Sequence, residues 1–356
     1  MADYEVFLED MTGQRVGQLP FESLQITLRY NEPGRAKLTL PAAQMTVDVF
    51  DTPYRLLVRR NDVNIISGMV TSVQRAWDTN NDQMDISITD DLALLDTRLI
   101  VPVPNGPPYT SADHDVRTGA VETVMHAYVN AHAGAGAIAS RRIAGLTQAA
   151  DQARGGTVTA RGRFLPLLSM VKKLATLGGL GFRVVGLQFQ VYQPSVTSVT
   201  FSAEMNNLLK FVRTVSAPGG NYVYAGGGGE GTSRVIAEAG SLDSIMRWGR
   251  REMFLDQRNT SDISELQQAI TARLNEQTGK EETIQFEGTA SLDQVGLGDI
   301  VSVAFGGAVY PITIQQITIR TDGVSEDVIM TSGTEKPDIY RRMDDAESSI
   351  ALLEVR

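Results

Sequence analysis

The sequence contains no cysteine. That absence removes disulfides, thiolate nucleophiles and thiolate metal sites together. Histidine is nearly missing as well: His114, His126 and His132 are the three in 356 residues. Aromatic residues make up only 6%, with two tryptophans, which leaves little to stack against sugar rings. No window reaches the roughly 18 uninterrupted apolar residues that a membrane span needs, so no stable membrane insertion is expected. The chain opens on strand-like Tyr4-Glu5-Val6-Phe7-Leu8 without a basic segment and apolar run ahead of it, and no signal peptide is expected. The net charge of -10 argues against tight duplex binding, which needs clustered Lys and Arg to displace counterions.

What is present is turn-rich and β-patterned. The chain carries 33 glycines and is 42% hydrophobic, and its length implies two to four domains. Leu24, Ile26 and Leu28 alternate with polar neighbours, as do Ala36, Leu38 and Leu40, and Asn31-Glu32-Pro33-Gly34 between them has turn chemistry. Strands are expected over 54–59 and 64–73, joined at Asn61-Asp62, and over 84–88. A proline-rich connector follows from Val101 to Tyr109. The period then changes. Val121, Val124, Met125, Tyr128 and Val129 share a helical face that Gly134 stops. A second helix is expected from about Pro166 to Gly178, burying Leu167, Val171 and Leu174, with strands at 182–185 and 187–192. Asn221 to Ala225, a glycine run and Arg234 to Ala237 read as a hairpin with a loose tip. Asp262 with Glu265 has capping-box spacing, and Ile263, Leu266, Ile270 and Leu274 form the buried face of a helix that Gly279 ends. Strands return at 283–286, 300–305, 309–319 and 327–330. The fold class is therefore α+β, mainly β: small barrel or sandwich domains flanking a central α+β region, with a C-terminal helix.

Two larger patterns bear on assembly. Val58 to Val73 and Val303 to Ile317 both read strand, polar turn, strand, with Val70 and Val73 matched by Ile314 and Ile317. The loop and strand at 78–88 are echoed at 321–330. Either these are two unrelated meanders or they are two related β-domains. In the second case three chains present six similar modules in a ring, which lets a three-fold object dock on a six-fold tube. After Pro337, the apolar residues Ile339, Met343, Ala346, Ile350 and Leu353 step by four, three, four, three, an a/d seam. It fits either a helix packed on its own domain or a parallel bundle on a symmetry axis.

Motifs that carry chemistry are thin. Gly226, Gly228 and Gly231 satisfy G-x-G-x-x-G, but they lead into strand-like Arg234-Val235-Ile236-Ala237 rather than into a helix N-terminus. His126 and His132 are six apart and cannot form an i, i+4 metal pair, and His114 sits in an acidic loop. No G-x-S-x-G elbow exists. Asp90-Asp91 and Glu281-Glu282 read as solvated carboxylates, and Trp248, Arg250, Arg251 and Glu252 as a structural stacking or ion-pair cluster. No catalytic, cofactor or metal residue is assigned, and no enzyme activity is expected.

The middle of the chain resembles a known family. Tyr109-Thr110, Asp115-Val116-Arg117-Thr118-Gly119, Glu122-Thr123-Val124-Met125 and Gly155-Gly156-Thr157-Val158 are similar to a tail-associated (minor tail, tail-tip) protein family of siphophages of actinobacteria and relatives. So are Gly178-Gly179-Leu180-Gly181-Phe182-Arg183, Gly229-Glu230-Gly231-Thr232, Trp248-Gly249-Arg250-Arg251-Glu252 and Gly296-Leu297-Gly298-Asp299. The resemblance implies a homotrimeric hub, related in architecture to contractile-phage baseplate hubs. Such a hub caps the tail tube below the distal tail ring, contacts the tape-measure protein and supports a central fibre or spike. It implies a virion location at the tail tip, synthesis in the host bacterial cytoplasm, and contact with viral DNA only in passage, through a lumen expected to be neutral or acidic. On this plan the chain divides into an N-terminal β hub domain (1–100), an α+β domain (101–215), a hairpin-plus-helix insertion (216–280), a second β hub domain (281–336) and a terminal helix (337–356). No fibre, lysozyme-like or peptidase extension follows that helix, so host binding and wall digestion are not expected of this chain. The competing readings are a carbohydrate-binding tail protein of the host surface and a wall-degrading tail enzyme.

Overall fold

Strict apolar alternation builds the N-terminal strands. The computed structural model describes residues 2–41, 53–79 and 82–332, with the side chains of 278–283 outside that description. The first seven strands are β1 (Tyr4–Glu9), β2 (Arg15–Leu19), β3 (Ser23–Arg29), β4 (Glu32–Pro41), β5 (Arg55–Arg60), β6 (Val63–Trp77) and β7 (Asp82–Asp90). Leu24, Ile26, Ala36, Leu38, Leu40, Met84, Ile86 and Ile88 all lie in one buried core. Each large aliphatic among them contributes about 1.5–3 kcal/mol by leaving water. The β3–β4 turn is tighter than the Asn31-to-Gly34 stretch predicts: Asn31 takes φ 56°, and Glu32, Pro33 and Gly34 already belong to β4. Asn61 and Asp62, at φ 49° and 66°, make the two-residue turn of the β5–β6 hairpin.

The middle of the chain forms a second body with its own core. It contains β8 (Leu99–Ile100), β9 (Asp115–Ala120), α1 (Val121–His132), β10 (Thr147–Gln148), β11 (Thr157–Gly162), β12 (Leu165–Pro166), α2 (Leu167–Gly178), β13 (Gly181–Val185) and β14 (Gln188–Tyr192). α1 and α2 pack together through the faces read from the sequence, with Tyr128, Val129, Leu167 and Val171 fully buried. Pro166 caps α2 from outside its first turn, and Gly179 in the left-handed region ends it.

The chain then returns through β15 (Val196–Ser202) and β16 (Leu208–Val215) and enters a small third body: β17 (Tyr222–Gly226), β18 (Ile236–Gly240), α3 (Leu242–Trp248), β19 (Glu252–Asp256) and α4 (Ile263–Glu281). Here several expectations need correction. The glycine run is not loose: Gly226 and Gly227 are buried, and the Gly228 amide donates to the Thr260 carbonyl at 2.7 Å. Asp262 accepts from the Ser264 amide at 2.7 Å, yet Glu265 turns away to Arg161 instead of completing the capping box. Leu266 and Ile270 are buried, whereas Ile263 is exposed. The helix runs past Gly279 and passes directly into β20.

The last strands are β20 (Glu282–Gly288), β21 (Ile300–Phe305), β22 (Ala308–Thr313), β23 (Gln316–Thr321) and β24 (Glu326–Ser332). The single strand read over 309–319 is broken, because Ile314 turns its amide to the Asp299 carbonyl and Gln315 to that of Thr331. β20, β23 and β24 do not form a separate sheet. They join the N-terminal strands in one eleven-stranded sheet, in the order β16-β20-β24-β23-β3-β4-β7-β6-β5-β1-β2, over a shared core. The flanking β-regions are thus open sheets, and the described strands close no barrel. The terminal helix and its seam lie outside the described residues.

The eleven-stranded sheet contains the same unit twice. In the first, β3-β4-β7-β6 are neighbours, and the first half of β6 turns away to pair with β5. In the second, β16-β20-β24-β23 are neighbours, and β22, which precedes β23 as the first half of β6 precedes its second, pairs with β21. Registers coincide. Ile26 pairs Ala36 and Ala36 pairs Ile88; likewise Phe211 pairs Phe286 and Phe286 pairs Ser332. Val73 faces Ile86 as Ile317 faces Met330, and Trp77 faces Asp82 as Thr321 faces Glu326. The third body is inserted where the first unit has its short β3–β4 turn.

Candidate assembly surfaces

Buried polar groups are where chemistry would be sought, and here the buried carboxylates Asp115, Glu122 and Asp91 fasten elements together. Asp115, at the start of β9, accepts from His132 Nε2 at 2.8 Å and from Arg117 at 3.0 Å. Arg141 approaches His132 Nδ1 at 3.5 Å, so the ring is the neutral tautomer with its proton on Nε2. Burial pushes the His132 pKa down, consistent with that form. The pair resembles two members of a hydrolytic triad, but an arginine stands where the nucleophile belongs. Glu122, fully buried on α1, accepts from the Arg154 amide at 2.9 Å and its guanidinium at 3.0 Å, pinning the loop ahead of β11.

A second buried cluster joins the sheet to the middle body. Arg55 on β5 and Asp91, just after β7, are both fully buried and ion-paired, with Glu9 of β1 3.8 Å from Arg55. Ser67 of β6 donates to Asp91 at 2.5 Å and accepts from the Gly186 amide, in the β13–β14 turn, at 2.6 Å. Asp90 beside it accepts from the Gly34 and Leu92 amides, and burial pushes its pKa up to about 7. A cleft of about 500 Å³ between the sheet, the β13–β14 hairpin and the loop ahead of β21 is lined by Asp90, Arg60, Tyr192 and Val295, among others. Tyr192 closes one side by donating to the Leu297 carbonyl at 3.2 Å.

The residues singled out in the sequence are dispersed. His126 is buried against Phe189 and bonded to Gln148, His132 serves Asp115, and His114 lies in a loop. Among the described residues no three His, Asp or Glu side chains converge as metal ligands. Gly226 and Gly228 lead into backbone bonds of β18 and the loop ahead of α4. Arg250 bonds Glu252 at 2.8 Å and Tyr224 at 2.7 Å and covers the Tyr222 ring, as a structural cluster does. Asp90 and Asp91 correct their reading as solvated carboxylates, since both are withdrawn from solvent. The seam residues Ile339, Met343, Ala346, Ile350 and Leu353 are outside the described residues. Sequence reasoning missed the Arg55–Asp91 and Asp115–His132 pairs. A charged Arg55 leading the apolar Leu56-Leu57-Val58 was the available signal for the first.

What the structure does offer is surface. The sheet face opposite the core is polar, with Gln25, Thr27 and Arg29 on β3, Arg35, Lys37 and Thr39 on β4, Asp85, Ser87 and Thr89 on β7, and Gln316, Thr318 and Arg320 on β23. Its charges are of both signs, and Lys37 pairs with Asp85 at 2.8 Å. Three strand edges of the eleven-stranded sheet have no ladder partner among the described residues, and β2, at one end of the sheet, is the first. The second is β16, at the opposite end. The third is β6 beyond Val70, where β5 has ended while β7 continues on the opposite side. The β6 and β16 edges carry exposed apolar residues: Trp77 (72%) on β6, and Leu209 (58%), Val212 and Val215 on β16. Exposed, apolar strand edges of this kind are templates for another chain.

Comparison with known proteins matches this architecture. A family model described as Siphovirus ReqiPepy6 Gp37-like protein covers residues 4–334. A search of curated proteins returns no match. Among solved structures, the fold is similar to the 43 kDa tail protein of prophage MuSo2 from Shewanella oneidensis, at TM-score 0.61 and 12% identity over 94% of this chain and 98% of that one. It is also similar to a tail protein from Neisseria meningitidis MC58, at 0.60 and 12% over 94% and 97%. The prophage tail protein gp18 from Listeria monocytogenes EGD-e aligns at 0.58 and 9% over 96% and 98%.

Proposed function

Since the chain belongs to the Siphovirus ReqiPepy6 Gp37-like family and is a structural protein of the phage-tail type, we propose that it is the trimeric hub of a tail tip, acting through surfaces rather than catalysis. It caps the tail tube below the distal tail ring, meets the tape-measure protein on its inner side and supports the central fibre or spike. It is made in the host bacterial cytoplasm and ends in the virion.

The observation that carries this reading is the internal repeat. One chain holds two copies of a β-unit in a single sheet, so three chains hold six, and a three-fold assembly can match a six-fold tube without a second protein. The polar sheet face then lines the channel. Its charges are mixed rather than uniformly acidic, and paired charges such as Lys37–Asp85 bind phosphate poorly, so DNA passes without being held. On this reading the seam Ile339, Met343, Ala346, Ile350 and Leu353 runs along the axis as a parallel bundle.

Native mass measurement of the full chain, alone and with the neighbouring ring protein, tests the proposal. A trimer that joins the ring protein is expected, and Ile350→Asp is expected to shift trimer towards monomer. A persistent monomer that fails to join tail tips would refute it.

A further inference from the structure

We propose that the open face of the third body is a binding platform for neutral carbohydrate. The face belongs to the three-stranded sheet β18-β17-β19. Its other side carries Val223, Ala225 and Ala237, buried in one cluster with Leu266 and Ile270 of α4. Strand alternation sends the remaining residues outward, as on β19, where Glu252, Phe254 and Asp256 are exposed between the half-buried Met253 and Leu255. Register then sets them in three rows: Ile236, Gly226 and Asp256; Glu238, Tyr224 and Phe254; Gly240, Tyr222 and Glu252. Aromatic residues are only 6% of the chain, yet Tyr222, Tyr224 and Phe254 meet in this small lattice.

The rings are held in place before any ligand arrives. Glycine stands beside two of them: a Cβ on Gly240 would lie 2.5 Å from Tyr222 Cδ2, and one on Gly226 would lie 2.6 Å from Phe254 Cζ. Both rings therefore rest against bare backbone, a close approach that a larger residue would prevent. Two arginines fix the surroundings. Arg250 sits 3.6 Å from the Tyr222 ring centre and donates to Glu252 at 2.8 Å and to the Tyr224 hydroxyl at 2.7 Å. Arg234 is 5.3 Å from the Phe254 ring centre, donates to the Gly227 carbonyl at 2.9 Å and pairs with Asp256. Phe254 and Ile236 nevertheless remain 58% and 53% exposed. The face thus offers apolar rings edged by planar hydrogen-bonding groups. A sugar presents the complement, an apolar C–H face ringed by hydroxyls that both donate and accept. Charge argues against other polymers. Arg234 and Arg250 stand against Glu238, Glu252 and Asp256, and both arginines are already paired, so neither a polyanion nor a polycation is selected. Size argues against a docked protein. The lattice covers roughly 200 Å² by strand and residue spacing, about a quarter of the roughly 800 Å² that each partner buries in a stable interface.

Calorimetric titration of the full chain tests the proposal, with two sets of probes. One is neutral polysaccharide extracted from the host wall, and the other is a panel of neutral hexose, pentose and N-acetylhexosamine oligomers. Binding of at least one of these is expected, with an affinity that changes less than about twofold between about 50 mM and 500 mM salt, as for an uncharged ligand. Phe254→Ala and Arg250→Ala, both at exposed positions, are expected to keep the parent melting temperature and weaken binding about tenfold or more. Arg250→Lys is expected to weaken it too, because an ammonium lacks the planar fork. Trp77→Ala, which removes an exposed ring on the large sheet, is expected to bind as the parent does. Glycan binding that survives both Phe254→Ala and Arg250→Ala would put the sugar elsewhere and overturn the assignment. Failure of every neutral probe would overturn it as well, whether or not a sulfated glycan or a peptide binds instead. Neither result bears on the trimeric reading.

Discussion

Replacing Asp91 by Asn should detach the sheet from the middle body more than any single surface change. Asp91 is fully buried and neutralises Arg55, whose own side chain is 1% exposed and has, among the described residues, only Glu9, at 3.8 Å, as another anion. Burial pushes the Glu9 pKa up, so Glu9 is a reluctant substitute. Removing one partner of a buried pair leaves an uncompensated charge, at a cost of about 3–5 kcal/mol. Ser67 also loses its ionised acceptor, and with it the link to the Gly186 amide weakens. Against a domain stability of about 5–15 kcal/mol that is a large fraction. Urea unfolding followed by tryptophan emission and by hydrogen exchange at the β13–β14 turn measures it, with earlier loss of protection at the Gly186 amide expected. Arg55→Met combined with Asp91→Leu is expected to recover most of the loss, because a paired charge is removed whole. A loss below about 1 kcal/mol for Asp91→Asn would refute the reasoning.

Two further outcomes follow from buried contacts. Asp90 has a folded pKa of about 7, above its unfolded value, so the fold favours its protonated form. Its contribution is complete at acidic pH below the unfolded value of about 4 and is lost as pH rises through 7. Stability measured by urea titration should decline between those limits, and Asp90→Asn should flatten the decline; an unchanged slope would contradict the assignment. Gly68 lies where a Cβ would stand 2.1 Å from the Thr89 carbonyl oxygen. Gly68→Ala should therefore push β6 from β7 and lower stability by about 1–3 kcal/mol, read from thermal melts. A neutral result would show that the two strands can separate freely there.

Much of this fold was legible in the chain because it is written in local periodicity. Leu24-to-Leu28 and Ala36-to-Leu40 alternate, and they became paired core strands; Val121 to Val129 follow a helical period, and they became the buried face of α1. The repeat was legible too, since matching Val73 to Ile317 is the register that the strands adopt. What could not be read is pairing between distant segments. Nothing near Ile26 announces that its neighbour across the ladder is Ile319, and that contact is what fuses the two units into one sheet. The third body shows the same limit: glycines at 226–228 read as slack because their partners, Thr260 and Val235, arrive from elsewhere in the chain. The candidate surfaces were hidden for a related reason. A strand edge is defined by the neighbour it lacks, and only the assembled sheet shows that β2, β16 and the end of β6 are left over.

The central claim is that three copies, each with two β-units, form a ring at the tail tip. Three-fold averaged electron cryomicroscopy of tail ends carrying this protein tests it most directly. The expected density is a ring of six similar β-modules from three chains. Density for a single copy, or for copies attached to the outside of the tube, would contradict the account.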